Sequence, residues 1–451
     1  MQHAIPRFSS LAVSLGITGL FAIGYPADVR AQTIFCPTTL PLTNGSCTNG
    51  QDGAFSGAAL ASQALSEVAE TTTQVTTKEV GKAIVERREQ ERERVRRPVR
   101  PAREVPPEKP KPTAVLPKEP PPPEPAVRFG TWTQVFGDYQ KRDASGPGVL
   151  TCCLIGNPIQ TAAGGILGPA PLALNIESRT STVGFVAGAD FTSWGLYSAG
   201  DGFIAGVTTG YTHSELKLNT IATSLAPPPP GTGVSRLNAT VSGPTVGAYA
   251  TYFSAGFSTD VTVKFDFLTV DETFNDLLAT TASNPNVPAF IPFAGAGSVS
   301  LLNSTVVGNL NYRFDLYPNF WIEPTVGVQY TNSSYGSGAA QLGLADGNLV
   351  RVQGGARFGT STFIGNGVLM TPTVTGLAYN DVLVQGGFIP VGALQGNNLL
   401  VQADQGFMRG QGIFALNFDF GDGRSSFVQG DVYGGAHLFG AGGRGGIRYQ
   451  W

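Results

Sequence analysis

The sequence is poor in charge, in histidine and in long apolar runs. Charged residues make up 14% of its 451 residues, and three histidines and four cysteines occur in the whole chain. After residue 31 no stretch of 18 uninterrupted apolar residues occurs, which excludes a later transmembrane helix. No Cys or His residues have the spacing of zinc ligands, so a structural zinc site is not expected.

The first 31 residues have the features of a secretory signal peptide. Arg7 is followed by the mostly apolar run Leu11–Ile23, and small residues precede a cleavage position before Gln32. A membrane-anchoring helix is the alternative, but Gly24 and Pro26 leave the run shorter than the roughly 20 apolar residues that a bilayer requires. We therefore expect residues 1–31 to be removed on export.

The four cysteines belong to the exported chain, where an oxidising compartment permits disulfides. Cys36 and Cys47 are far enough apart to close a small loop near the mature N-terminus. Cys152 and Cys153 are adjacent, and three states stay open for them: a strained bridge with each other, a bridge to another chain, or free thiols.

The part upstream of residue 127 divides into three segments. Residues 32–57 form an irregular Gly/Asn/Thr-rich head. Residues 58–97 are rich in helix formers, and their apolar spacing of four and three predicts a helix that is either single or paired in a coiled coil. The run Glu86–Arg94 alternates in charge, which is typical of a solvated helix face.

Residues 98–126 are a Pro-rich basic spacer. Prolines recur from Pro98 to Pro125, so the segment can neither continue a helix nor join the centre of a sheet. Residues 78–119 carry 13 Lys/Arg against 8 Asp/Glu, a net charge of +5, whereas residues 127–451 carry 14 against 19, a net charge of −5. A basic stalk is thus joined to an acidic domain.

From residue 127 onward the apolar residues recur with period two. Phe257, Val263 and Phe267 alternate with Ser258, Lys264 and Asp266, so one face of this strand is apolar and the other is charged. The pattern predicts an all-β fold, an antiparallel transmembrane barrel of about twelve strands of ten to thirteen residues, with short turns alternating with long loops. The strands are expected to begin near residues 129, 180, 202, 243, 257, 303, 320, 349, 366, 408, 425 and 442.

Charged residues on the inner faces of these strands are expected to pair within a polar lumen. The alternative, an acidic protease site, is less favoured, because a polar interior is ordinary in such barrels. The residues expected to face the lumen are Asp260, Lys264, Asp266, Arg313, Glu323, Arg351, Arg357 and Arg448.

The last eight residues have the pattern of an outer-membrane assembly signal. Arg444 and Gly446 are followed by Tyr449 and by Trp451, the last residue of the sequence, which places two aromatics on one face of a strand. Such aromatics suit the girdle of an outer-membrane barrel. The pattern indicates a barrel inserted into the outer membrane of a Gram-negative bacterium by the assembly machinery of that membrane.

Several stretches now resemble the translocator barrel of autotransporters (type V secretion), among them 132–139, 184–190, 206–211 and 321–324. The similarity covers about residues 127–451. It implies a pore of twelve strands through or beside which an upstream passenger reaches the cell surface, with no cofactor and no nucleotide. The sequence departs from the family in two ways. The family usually has a long passenger, whereas the upstream part here is only residues 32–126, and the family usually has a helix that threads the pore just before the first strand, whereas this part ends in polyproline. No Asn-Asn pair occurs in residues 98–127, so self-release of a passenger is not indicated.

Three functions stay open: a translocator that displays a short head, a porin-like channel, and a barrel that anchors a basic periplasmic stalk. The first is preferred, with the Pro-rich spacer threading the lumen. The expected partners are outer-membrane lipid, the barrel-assembly machinery, and either a cell-wall polymer or an extracellular ligand, but no nucleic acid. An enzyme is not expected, because His213 and His437 are the only histidines after residue 31 and neither has a nearby group to orient it as a base.

Overall fold

The computed structural model describes residues 42–43, 46–47, 58–96, 127–150, 170–198, 200–224, 232–279, 290–317, 319–364, 367–388, 407–435 and 437–451. The signal peptide, the Pro-rich spacer, Cys36 and the pair Cys152 and Cys153 lie outside these residues. Of the head, the structure describes one antiparallel pair of two-residue strands, Leu42–Thr43 and Ser46–Cys47.

Twelve long antiparallel strands form the wall of a closed barrel. They are β1 (Val127–Leu150), β2 (Ala170–Trp194), β3 (Asp201–Ser224), β4 (Thr232–Ser254), β5 (Phe257–Ala279), β6 (Phe290–Tyr312), β7 (Phe320–Tyr335), β8 (Leu344–Thr360), β9 (Val368–Phe388), β10 (Arg409–Gly421), β11 (Arg424–Gly435) and β12 (Leu438–Gln450). Two short strands, Phe314–Tyr317 and Thr362–Ile364, extend the turns before β7 and β9, and a 3-10 helix covers Ala339–Leu342. Each long strand pairs with its sequence neighbours, which confirms the predicted twelve-stranded barrel.

The barrel closes where the last strand meets the first. β12 pairs with β1 from Leu438 opposite Arg142 to Gln450 opposite Gly130. Beyond that ladder, the backbone N–H of Trp451 donates to the carbonyl of Phe129 at 3.0 Å, and the N–H of Phe129 donates to Trp451 at 3.2 Å. We call the rim that carries Val127 and Trp451 the terminal end, and the opposite rim the loop end.

The expected strand lengths of ten to thirteen residues are right for β10 to β12 and too short for the other nine strands. β1 to β6 have 23 to 25 residues each, whereas β10 to β12 have 12 or 13, so one side of the wall projects far beyond the other at the loop end. The projecting parts of these strands fall where long loops were expected between the predicted strands.

The reason for this error is that the two faces exchange their polarity along projecting strands such as β5. On β5 the outward side chains are apolar up to Phe267, which is 51% exposed, and then become polar at Thr269 and Asp271. The inward side chains are polar up to Asp266 and then become apolar at Leu268, which is 4% exposed. An outward apolar face fits lipid and an outward polar face fits water, so the exchange marks the rim of the membrane-spanning part.

A single long helix, α1 (Ala58–Arg96), lies inside the barrel. Its described N-terminal turns pack near the loop end, where Leu65 and Val68 join Leu218, Leu237 and other side chains of β2 to β6 in an apolar core. Further along, Val80 and Ile84 pack against a second cluster of wall residues. Within the described residues, no helix is long and apolar enough to cross a membrane.

The helix corrects two expectations. The run Glu86–Arg94 is not a solvated face, because Arg87, Arg88 and Glu91 are each at most 2% exposed within the barrel. The described segment in the lumen is the helix, and the Pro-rich spacer that was expected to thread the lumen lies outside the described residues. The apolar spacing that fits a coiled coil instead meets the inner face of the wall, since the interior of a barrel offers a packing surface to a single helix.

Candidate functional site

The candidate functional site is the lumen of the barrel together with α1. Wall and helix are joined by charged contacts at successive depths. At the loop end, Glu67 Oε1 of the helix accepts hydrogen bonds from Arg142 Nε at 2.7 Å and from Gln140 Nε2 at 3.1 Å, both on β1. Glu67 belongs to the N-terminal part of the helix, which begins at Ala58. The N-terminus of the helix therefore lies at the loop end.

One helical lysine lies between two wall carboxylates in the next layer. Lys78 Nζ is 3.0 Å from Asp138 Oδ2 on β1 and 3.0 Å from Asp431 Oδ2 on β11. Asp431 also accepts from Lys82 at 2.8 Å, and Tyr433 donates its hydroxyl proton to Asp138 at 2.6 Å. These contacts fix the helix to the part of the wall on either side of the closing seam.

In the next layer the helix supplies the carboxylate and the wall supplies the cations. Glu86 is the helical carboxylate, and it accepts from Arg444 and from Arg448 of β12, each at 2.6 Å. Arg444 also donates to Gln134 and Gln429 at 2.8 Å. The inner face of the last strand is thus bound to the helix through charge-assisted hydrogen bonds, which are stronger than neutral ones.

Two adjacent arginines of the helix bind opposite sides of the wall. Arg87 Nε lies 3.0 Å from Asp190 Oδ1 on β2. Arg88 Nη1 lies 2.8 Å from Asp260 Oδ2 on β5, and its Nη2 lies 2.6 Å from Glu323 Oε1 on β7. Both guanidinium groups are buried, so removal of their partners would leave charges without compensation.

At the terminal end an arginine of the wall pairs with two carboxylates of the helix. Arg313 Nη1 is 2.7 Å from Glu89 Oε2, and its Nη2 is 2.8 Å from Glu93 Oε1. The same guanidinium lies 4.4 Å from the ring centroid of Trp321. Gln450 donates to Glu91 at 2.7 Å beside the C-terminus. The helix ends at Arg96, one turn after Glu93, so it enters the lumen from the terminal end.

The structure places the eight lumen-facing residues on the inner surface of the wall. Asp260, Glu323, Arg313 and Arg448 contact the helix, as described above. Lys264 pairs with Asp266 at 2.8 Å and also donates to the carbonyl of Thr73 at 3.1 Å. The two others contact the wall: Arg351 Nε is 2.6 Å from Asp381 Oδ1, and Arg357 Nη2 is 3.4 Å from Glu323 Oε1.

The helix is off-centre, and a cavity of about 250 Å³ remains on its other side. The helix contributes Gln74, Gly81 and Val85 to this cavity, and β7 to β10 contribute residues such as Gln353 and Thr375. Arg351 and Arg357 face this cavity, which accounts for their pairing within the wall. The lumen therefore has a filled half along β2 to β6 and a polar, open half along β7 to β10.

The residues of the C-terminal pattern point in two directions. Tyr449 and Trp451 face outward, 47% and 59% exposed, with their ring centroids 5.7 Å apart. Arg444 faces the lumen. Gly446 also faces inward, where a Cβ atom would lie 2.5 Å from the carbonyl oxygen of Thr133 and 2.6 Å from the ring of Phe427, so only glycine fits there.

The two histidines are apart from this network. His213 Nε2 is 3.6 Å from Glu215 Oε1 on the outward face of β3, and His437 lies in the turn before β12 with a φ of 61°. Among the residues that the structure describes, no group of three His, Cys, Asp or Glu side chains could hold a metal ion.

The helical residues of the network were missed because the charged run was assigned to a solvated surface. The sequence did contain a signal for this pairing. A segment with both acidic and basic residues precedes a barrel that also has acidic and basic residues at its inward positions. Asp138, Asp190 and Asp431 were missed for another reason, since each is a single carboxylate that follows a glycine or an alanine and precedes an aromatic residue or a valine in its strand. No pattern of spacing identifies a single inward carboxylate as the partner of a distant helix.

A family model and several solved structures are similar to this chain. Residues 175–383 match the family model described as autotransporter beta-domain. Solved structures similar to this chain include the β-domain of the Bordetella autotransporter BrkA, at 15% identity with a TM-score of 0.39, covering 71% of this chain and 98% of that one. They also include the transport unit of AIDA-I from Escherichia coli, at 11% identity with a TM-score of 0.39, covering 71% and 89%. A third is the translocator domain of NalP from Neisseria meningitidis, at 12% identity with a TM-score of 0.34, covering 71% and 88%. No curated protein matched the chain in sequence.

Proposed function

We propose that this chain is an outer-membrane translocator barrel of autotransporter type that displays its N-terminal head, residues 32–57, outside the cell. The match of residues 175–383 to the autotransporter beta-domain supports the translocator role. In the proposal, α1 crosses the lumen with its N-terminus at the loop end, which faces the exterior. The head would then leave the barrel on the outer side and remain attached to it.

The observation that carries the proposal is the match between helix and wall over the whole depth of the lumen. Contacts begin with Glu67 and Arg142 at the loop end and continue to Glu91 and Gln450 at the terminal end. The charge on the helix changes sign along its length, and the charge on the wall changes with it. A helix that reached the lumen only by chance would leave several of these buried charges without partners, at a cost of several kcal/mol each.

The filled half of the lumen favours anchoring over an open porin. The apolar core at the loop end and the ion pairs below it fix the helix in place, so a wide aqueous channel has no room along β2 to β6. The smaller cavity beside the helix is left for water and small ions. We therefore place the porin-like function second to display.

Attachment to the cell wall is a second candidate function, favoured by the positions of Arg96 and Val127. The helix ends and β1 begins at the same rim, so the intervening residues 97–126 start and finish at the terminal end. They include six Lys/Arg and four Glu. A Pro-rich basic segment on the periplasmic side would be attracted to an anionic cell-wall polymer. This function is compatible with display of the head.

Proteolysis of intact cells tests the display function. An epitope inserted in the head next to Asn49 is expected to disappear when protease is added outside, while the barrel remains intact. The control is the same epitope inserted next to Lys109 in the spacer, which is expected to survive until the outer membrane is permeabilised. Survival of the first epitope on intact cells would contradict display.

A further inference from the structure

We propose that the outward face of β1 to β3, just beyond the membrane rim at the loop end, binds the phosphate groups of the outer-leaflet glycolipid. The site consists of three basic side chains, Lys141, Arg179 and Lys217. The proposal rests on the orientation proposed above, in which the loop end faces the exterior. The outer leaflet of a Gram-negative outer membrane consists of a glycolipid whose headgroup carries several phosphates.

The three cations form one row across three strands. Lys141 of β1 is directly opposite Arg179 of β2, and Arg179 is directly opposite Lys217 of β3. Like charges in directly opposite positions repel each other and destabilise a sheet. A row of three on an exposed face therefore indicates that an anion compensates them when the barrel is in its membrane.

Carboxylates in the structure compensate this row only in part. Glu177 Oε1 is 2.6 Å from Arg179 Nη2 and 3.4 Å from Lys141 Nζ, and Asp143 Oδ2 is 3.1 Å from Lys141 Nζ. Lys217 has no ion pair with the residues described. All of these groups are solvent-exposed, and exposed pairs of this kind are weak and exchange readily. A phosphate, with more charge and more acceptor oxygens, can displace them.

The depth of the row fits a large headgroup. Lys141 lies two residues beyond the outward Tyr139, Arg179 four beyond Val183, and Lys217 six beyond Tyr211. With a rise of about 3.3 Å per residue and a strand tilt of about 45°, these distances correspond to heights of about 5, 9 and 14 Å above the apolar band.

The headgroup layer of one leaflet is about 5–8 Å thick. The lowest of the three cations lies within this layer and the other two lie above it, which fits a headgroup with phosphates at more than one height. A compact phospholipid would reach only the lowest cation. We therefore assign the site to the phosphorylated glycolipid.

The experiment uses the full chain in phosphatidylcholine nanodiscs, titrated with fluorescent bisphosphorylated lipid A or with its dephosphorylated form. The unaltered protein is expected to bind the phosphorylated lipid at least tenfold more tightly than the dephosphorylated one. The variant Lys141→Ser/Arg179→Ser/Lys217→Ser is expected to lose most of that preference. Arg424→Ser, which removes an exposed cation at the opposite rim, is the matched control and is expected to keep the preference.

Single variants and competition with inorganic phosphate distinguish a lipid site from misfolding and from general phosphate binding. If the triple variant does not fold, as judged by heat-modifiable migration, the single variant Lys217→Ser is expected to lower the affinity several-fold and Lys217→Arg to restore it. Millimolar inorganic phosphate is expected to leave the bound lipid in place. Equal binding of the two lipids, unchanged binding by the variants, or full displacement by inorganic phosphate would overturn the assignment. Since both faces of a nanodisc carry the lipid, the result does not depend on which end of the barrel faces the exterior in cells.

Discussion

The guanidinium of Arg88, on the helix, lies 2.6 Å from the carboxylate of Glu323 on β7, and the two side chains are 0% and 1% exposed. Asp260 of β5 is bound to the same guanidinium from another side of the lumen. One helical residue therefore joins two strands that are not neighbours in the barrel. This arrangement makes the ion pairs, and not only the apolar contacts, responsible for holding the helix at its observed depth.

Removal of this arginine is the first test of that role. Arg88→Ala leaves the buried carboxylate of Asp260 without its cation and leaves Glu323 with Arg92 at 2.8 Å, and the loss of one partner of a buried ion pair costs about 3–5 kcal/mol. The free energy of unfolding in detergent, measured by a urea titration, is expected to fall by that amount. Gln74→Ala, which alters a helical side chain on the cavity side, is the control and should change it by less than about 1 kcal/mol.

A compensated variant distinguishes charge from packing. Arg88→Met/Asp260→Asn removes the cation and the carboxylate that depends on it, while Glu323 keeps Arg92 at 2.8 Å, and is expected to recover most of the lost stability because no buried charge is left alone. If this variant is as unstable as Arg88→Ala, packing of the arginine side chain and not its charge holds the helix.

The membrane assignment makes a second prediction on β9 and β10. Val374 faces outward, 53% exposed, and Asn417 of the next strand faces the cavity. Val374→Arg is expected to cost about 2–4 kcal/mol, because it places a charge in lipid near the midplane, whereas Asn417→Arg meets water and should cost far less. Unfolding titrations that give equal costs would refute the assignment of the faces. The filled half of the lumen is unsuitable for this comparison, since an inward residue such as Thr262 is only 6% exposed.

The sequence predicted the strands of the short side of the barrel much better than those of the long side. β10 and β11 begin within a residue of the expected positions, because these short strands have no projecting part in which the polarity of the two faces is exchanged. β2 and β4 begin ten or more residues earlier than expected, because their first parts lie outside the membrane, with an apolar inner face and a polar outer one. Period-two alternation is present there, but its phase is opposite to that of a lipid-facing strand.

The site was predictable on the wall and not on the helix. Inward residues such as Lys264 and Glu323 follow from the parity of their strands. The partners of α1 do not, since pairing between a helix and a distant strand depends on the depth and rotation of the helix. Those are set by the packing of Leu65, Val68 and Ile84 against the wall, and no local pattern records them.

A third prediction concerns pH and Glu272, which faces inward on β5 beyond the membrane rim. Burial raises the pKa of Glu272 from 4.5 to about 7. The folded protein therefore keeps a proton that the unfolded chain has lost, and stability is expected to fall as the pH rises from about 4.5 to about 7. Glu272→Gln should remove this dependence and add up to about 3 kcal/mol above pH 7.

Urea titrations at pH 4.5 and pH 8 measure this effect. The difference in the free energy of unfolding between the variant and the unaltered protein is expected to be small at pH 4.5 and large at pH 8. Glu215→Gln, an exposed carboxylate on β3, is the control and should show no such difference. A Glu272→Gln variant that is no more stable at pH 8 would contradict the prediction.

A fourth prediction concerns assembly and the last strand. Tyr449→Ala/Trp451→Ala removes two outward aromatics at the closing seam and is expected to deplete the protein from the outer membrane. Fractionation of cells and heat-modifiable migration measure this effect. Phe439→Ala, an outward aromatic that is 55% exposed at the other end of the same strand, is the control. Equal depletion by both variants would show that the position at the C-terminus has no special role.

The orientation of the helix is tested most directly by labelling single cysteines on intact cells. In a chain whose four native cysteines are replaced by serine, Asn49→Cys places a thiol in the head and Lys109→Cys places one in the spacer. A membrane-impermeant maleimide is expected to label Asn49→Cys on intact cells, and Lys109→Cys only after the outer membrane is permeabilised. Labelling of Asn49→Cys only after permeabilisation would contradict the display of the head and reverse the proposed orientation.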